Sequence, residues 1–122
     1  MKHPHIVALE NFYSHFSRKE YAAALGFCAE AFSFQVPGKG ILAGKYTRAN
    51  FAEGFGGKFE FEIHDILASD VHATVLGTEK VTRGGKAHEL RTVHVWRFEG
   101  GKPLAGYEYP RDLYAYDQVW SS

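Results

Sequence analysis

The chain has 122 residues, with fourteen Lys and Arg against fourteen Asp and Glu and a formal net charge of zero. That length gives a single domain, residues 1–122, and a hydrophobic content of 45% provides a real core and rules out a disordered chain. The balanced charge speaks against a nucleic-acid binder, and no apolar run reaches the roughly 18 residues of a membrane span. The stretch Ile6-Val7-Ala8-Leu9 is too short for the apolar part of a signal peptide. Cys28 is the only cysteine, which excludes an intrachain disulfide and Cys-rich zinc sites and predicts a reduced, cytoplasmic setting.

Helix comes first along the chain. Ile6, Leu9, Tyr13 and Phe16, with Phe12 beside them, recur at three- and four-residue steps and predict an amphipathic helix. A second apolar helix is expected from about Glu20 to Ala29. Phe32 to Val36 alternates with period two and stops at Pro37-Gly38, which predicts a short strand. Gly38 to Tyr46 reads as a glycine-rich connection, and Thr47 as the N-cap of a short helix through Phe55.

The second half is sheet. Lys58–Ser69, Val71–Thr82, Lys86–Phe98 and Leu104–Tyr109 are strand-like, with breaks at Ser69-Asp70, Arg83-Gly84-Gly85 and Gly100-Gly101 at hairpin spacing. Helices in front and a meander behind predict an α+β fold. Long antiparallel strands coil, so the sheet becomes a conical, curved wrap around the N-terminal helices, with a pocket at its mouth.

Two familiar chemistries fail. Gly54-Phe55-Gly56-Gly57-Lys58 closes a helix and opens a strand, the reverse of a phosphate loop. His3 and His5 lie near the terminus, and His64 and His72 lie on different strands. His88 and His94 share a strand face but stand roughly 20 Å apart, six residues at about 3.3 Å each. No metal ligand set and no cofactor are expected.

The strand Lys86–Phe98 carries the best signal. Leu90, Thr92, His94, Trp96 and Phe98 alternate with Arg91, Val93, Val95 and Arg97, and the arginines mark the second face as outer. His94 is then either a satisfied core histidine or an acid/base group, since imidazole titrates near neutrality.

Thr92-Val93-His94-Val95-Trp96-Arg97-Phe98-Glu99-Gly100-Gly101-Lys102 resembles the penultimate hairpin of the nuclear-transport-factor-2-like superfamily. The resemblance is closest to SnoaL-like polyketide cyclases and ketosteroid isomerase-related proteins. Phe27-Cys28-Ala29-Glu30, Gly44 and Asp112-Leu113-Tyr114-Ala115-Tyr116-Asp117 fit in the same order. The resemblance implies a cystatin-like cone (an α+β barrel), a homodimer and a small-molecule pocket between helices and concave sheet. His94 corresponds to the oxyanion-hole acid of ketosteroid isomerase, and Tyr13 lies near its oxyanion tyrosine. The isomerase's general base corresponds to Val36, which cannot move a proton. Glu108 corresponds to the acid/base aspartate of the SnoaL-like cyclases.

The facing of Glu108 hangs on one turn. A two-residue Gly100-Gly101 turn pairs Glu99 with Lys102 and sets His94 opposite Tyr107, with Tyr107 and Tyr109 in the pocket. A three-residue loop with a bulge at Gly101 pairs Phe98 with Lys102 and brings Glu108 onto His94's face. Apolarity favours the first. The resemblance favours the second, with the tyrosines on an outer dimer face.

Two readings stay open. In one, Glu108 takes a proton next to the carbonyl of an apolar substrate, and His94 and Tyr13 hold the enolate oxygen. In the other, the cone is a non-catalytic binding or dimerisation module. Phe12, Phe16, Phe32, Phe34, Val36, Phe55 and Trp96 are the expected pocket walls. Tyr46, Tyr114, Tyr116 and Trp120 are expected at the rim, the chain end or the dimer surface, where exposed aromatics favour self-association.

Overall fold

The computed structural model describes residues 1–121. Helix α1 (Pro4–Ser17) is followed by α2 (Tyr21–Gly26), β1 (Ser33–Val36), β2 (Gly44–Thr47) and α3 (Phe51–Phe55). Four long strands follow: β3 (Glu60–Ala68), β4 (His72–Arg83), β5 (Lys86–Glu99) and β6 (Lys102–Pro110), and then α4 (Leu113–Val119). One six-stranded sheet has the order β2-β1-β6-β5-β4-β3, so it curls without closing and has β2 and β3 as its edges. All neighbours are antiparallel except β1 and β6, which run parallel.

Helix α1 starts where the sequence allows it. Pro4 occupies the first turn, and the His3 side chain accepts a hydrogen bond from the His5 backbone N–H at 3.0 Å. His3 and His5 are not loose: His5 stacks on Phe98 at 3.8 Å, and its Nδ1 lies 3.0 Å from the Ser69 carbonyl. The buried stripe Leu9, Phe12, Tyr13 and Phe16 faces the concave sheet. Its phenyls meet Phe51 of α3, Phe32 and Trp96, edge to face or tilted, in one aromatic core.

Several elements differ from expectation. Helix α2 ends three residues earlier than expected, and Asn50 rather than Thr47 is the N-cap of α3. The glycine-rich connection contains strand β2, which pairs with β1 from Ser33–Thr47 to Val36–Gly44. Helix α4 was not anticipated, although Asp112 caps it by accepting from Ala115 N at 3.0 Å.

The register of β5 and β6 combines both expected turns. Gly100 and Gly101 form a two-residue turn with φ of 57° and 79°, and Glu99 pairs with Lys102. The three-residue loop is therefore incorrect. A bulge nonetheless shifts the register farther along: Phe98 pairs with Pro103 but Arg97 with Ala105, leaving Leu104 as the extra residue. His94 consequently faces Glu108, and Trp96 faces Gly106. A Cβ on Gly106 would lie 2.5 Å from the Phe34 ring and 2.8 Å from the Trp96 indole, so glycine lets both rings pack against the bare backbone of β6.

Candidate functional site

A cavity opens between α1 and the concave face of the sheet. Helix α1 supplies Phe12, Tyr13 and Phe16, and α3 supplies Phe51 and Phe55. Phe59 and Phe61 close one side, and Phe34, His94, Trp96 and Glu108 form the sheet wall. The volume is about 30 Å³, room for a water or two.

Across the sheet, Val75, His94 and Glu108 lie in one row, so β4, β5 and β6 present them to the same side. His94 is 6% exposed and held by three rings. Phe61 stacks on it at 4.5 Å and 10°, Tyr13 lies parallel at 5.8 Å, and Phe34 meets it edge-on at 5.1 Å.

A hydrogen-bond chain sets the tautomer of its ring. The Trp96 indole N–H donates to Tyr13 Oη at 2.9 Å, and Tyr13 Oη lies 2.6 Å from His94 Nδ1. Burial pushes the Tyr13 phenol well above the ordinary tyrosine range, so it keeps its hydrogen. Its oxygen already accepts from Trp96, so that hydrogen goes to His94 Nδ1. The imidazole must then carry its own proton on Nε2. That Nε2 is buried and, among the described residues, has no hydrogen-bond partner.

Glu108 Oε2 lies 3.7 Å from His94 Nε2, beyond a direct hydrogen bond. Its carboxylate is 3% exposed; Oε1 accepts from Tyr116 Oη at 3.0 Å and Oε2 from Thr92 Oγ1 at 3.1 Å. Burial pushes its pKa up, but the polar groups around the carboxylate outweigh that and hold it below the usual carboxylate value. The site thus pairs an ionised carboxylate with an unpartnered N–H, separated by a gap.

Tyr13, His94 and Glu108 are therefore brought together, with Phe12, Phe16, Phe34, Phe55 and Trp96 around them. Phe32 and Val36 do not line the cavity. Phe32 is core between Phe12, Phe51 and Trp96, and Val36 is buried one residue pair beyond Phe34 along β1. Tyr46, Tyr116 and Trp120 are also buried, at 9%, 1% and 2% exposure; only Tyr114 of that set is exposed. Tyr46, Tyr116 and Trp120 are therefore not exposed aromatics, and they give no support for self-association.

Sequence reasoning missed Phe51, Phe59 and Phe61 as walls, Thr92 and Tyr116 as partners of Glu108, and Glu79. Glu79 had a signal: Ala73, Val75, Gly77, Glu79 and Val81 form one strand face, apolar but for a single carboxyl. Among the described residues no cluster of His, Cys, Asp or Glu gathers to hold a metal ion, and no helix is long and apolar enough to cross a membrane.

Solved structures with this architecture are numerous. TerC, co-crystallised with polyporic acid, superposes with a TM-score of 0.85 at 21% identity over 98% of this chain and 100% of its own. An NTF2-like protein of unknown function from Burkholderia pseudomallei gives 0.84 at 21% identity over 99% and 100%. A protein of unknown function with a cystatin-like fold from Xanthomonas campestris gives 0.80 at 16% identity over 97% and 98%. At such identities the likeness concerns the fold alone. No curated protein matches the chain. The fold is that of the NTF2-like proteins, and residues 9–103 match the model of the SnoaL-like domain, so this chain belongs to the SnoaL-like domain family.

Proposed function

We propose that the chain is a small-molecule pocket protein that removes a proton next to the carbonyl of a small, largely apolar substrate, without a cofactor. Glu108 takes the proton, the C–H electron pair becomes the enolate double bond, and the carbonyl π pair moves onto oxygen. His94 Nε2–H donates to that oxygen, and Tyr13 holds the ring in the tautomer that can do so.

One observation carries this reading: the buried Nε2 of His94 lacks a partner and lies 3.7 Å from Glu108. Leaving such a donor unsatisfied costs about 1–3 kcal/mol, which a substrate oxygen would recover. Any substrate must displace an aromatic side chain, because the resting cavity is so small. Phe61 is the gate in this reading. It is half-buried on edge strand β3, stacks on His94, and borders both the cavity and the surface groove between α1 and β3. The fold shared with TerC, co-crystallised with polyporic acid, supports an organic ligand.

The test is deuterium exchange at the α-carbon of simple ketones, comparing the native protein with Glu108→Gln. Loss of the base should slow exchange about 10²–10⁴-fold. Ketones that bind without exchanging would instead favour a non-catalytic binding module. That second reading draws on both Glu108 oxygens being engaged already, which weakens the carboxylate as a base.

We also propose a homodimer through the outer sheet face. There Val93 pairs with Tyr109 and Val95 with Tyr107, while Leu67 and Tyr109 are more than half exposed, at 53% and 56%. Sedimentation equilibrium reporting a monomer at micromolar concentration would refute it. A cytoplasmic setting fits Cys28, whose thiol is buried and pushed up to about 12, far from the thiolate form.

A further inference from the structure

Glu79 lies on the inner face of β4, in register with Phe61 and Leu90, and is 1% exposed. Its Oε1 accepts from the Trp120 indole N–H at 3.0 Å. One helical turn earlier, Tyr116 donates to Glu108 at 3.0 Å, and the Trp120 backbone N–H bonds back to the Tyr116 carbonyl. A single face of the C-terminal helix therefore ties down both carboxyls side by side, within hydrogen-bond reach of each other.

Two buried carboxylates this close do not both ionise. The surroundings decide which one keeps the proton. Glu108 is faced by the hydroxyls of Thr92 on β5 and Tyr116 on α4 and by His94. Glu79 has the Trp120 indole alone; the Arg83 guanidinium lies over the Trp120 ring, 5.3 Å from its centroid, and donates to the Val119 and Ser121 carbonyls. Tyr46 of β2 and Tyr13 of α1 complete the titratable groups around the pair, and both stay neutral. Burial, and then the Glu108 charge, push Glu79 up to about 10.

We infer that Glu79 is a positioning residue: a carboxylic acid that donates its hydrogen bond to Glu108 and keeps that carboxylate aligned and ionised. The pair holds one proton at rest and two after Glu108 has taken the substrate proton. Glu79 itself does not line the cavity, so it acts on the site only through Glu108. The catalytic consequence rests on the proposed proton abstraction, whereas the resting protonation does not.

Infrared spectroscopy of the ligand-free protein near neutrality tests the second statement directly. A C=O stretch of a protonated carboxyl is expected in the native protein and in Glu108→Gln, and absent from Glu79→Gln. No such band in the native protein, or its survival in Glu79→Gln, would overturn the inference. In the ketone-exchange assay, Glu79→Ala should lower kcat about tenfold or more with KM little changed, the loss of one hydrogen bond to a charged group. Glu79→Gln, whose amide still donates to Glu108 and accepts from Trp120, should restore most of it. Exchange in Glu79→Ala at the native rate would refute the positioning role. Absence of exchange in every variant would remove the proposed reaction and leave the infrared result standing.

Discussion

Replacing Tyr13 by Phe removes one oxygen that serves two buried groups. The Trp96 indole, wholly buried, loses its acceptor at 2.9 Å, and His94 Nδ1 loses its donor at 2.6 Å. Each orphaned group costs about 1–3 kcal/mol, so the uncompensated loss is about 2–6 kcal/mol. Relief is available, because both groups face the same vacated position and a single water placed there would serve both. The net cost should then fall to about 2 kcal/mol, a drop in Tm of about 8 °C for a domain of this size. Thermal unfolding measures the loss, and ¹⁵N NMR of His94 measures the cause. The native protein should carry the imidazole proton on Nε2. Substitution should release that constraint and populate the other tautomer. A native His94 protonated on Nδ1 would refute the hydrogen-bond chain, and so would a Tyr13→Phe protein as stable as the native one.

Phe61→Ala should open the cavity to the groove between α1 and β3 and speed uptake of a small aromatic ketone, read as quenching of Trp96 fluorescence. Because Phe61 is half-buried, the stability cost should fall below the about 3–5 kcal/mol of a fully buried phenylalanine. Gly106→Val forces the Trp96 and Phe34 rings off β6 and should cost about 1–3 kcal/mol, measured by denaturant unfolding. Glu79 makes stability fall with rising pH: its folded value of about 10 lies above the ordinary 4.5, so the folded protein keeps a proton that the unfolded chain releases. The loss begins near the ordinary value and reaches about 3 kcal/mol at neutrality, with the lowered Glu108 acting in the opposite direction. Glu79→Gln should therefore flatten the stability–pH curve and gain on the native protein as pH rises; an unchanged curve would contradict the assignment.

Periodicity was enough to find α1 and the four long strands, because each buries one regular face. Strand β2 escaped because four residues on a sheet edge, with only Tyr46 buried, leave no pattern in a glycine-rich stretch. The bulge at Leu104 escaped for a different reason. Both Gly-Gly turn geometries were compatible with the sequence, and the register shift sits beyond the turn, next to Pro103, which has no N–H to give to the ladder. Glu108 thus faces inward as the resemblance implied, through a bulge in a place where no turn signal lies.

The candidate site was less legible because it is assembled across strands. Alternation tells which face of β5 holds His94, but not that a hydroxyl from α1 and another from α4 converge on its row. The helix that binds both carboxyls is too short for a periodic apolar face to mark it, and without it nothing in the sequence shows that Tyr116 and Trp120 are buried. The same assembly constrains the chemistry. His94 and Glu108 are strand neighbours on one wall, while α1 and α3 present only phenyl rings and the Tyr13 ring. A substrate that uses both groups must turn its carbonyl oxygen and its departing proton toward the sheet together, with its apolar remainder against the helices. A carbonyl compound whose acidic C–H lies on the far side of its oxygen would bind the cavity but keep its proton.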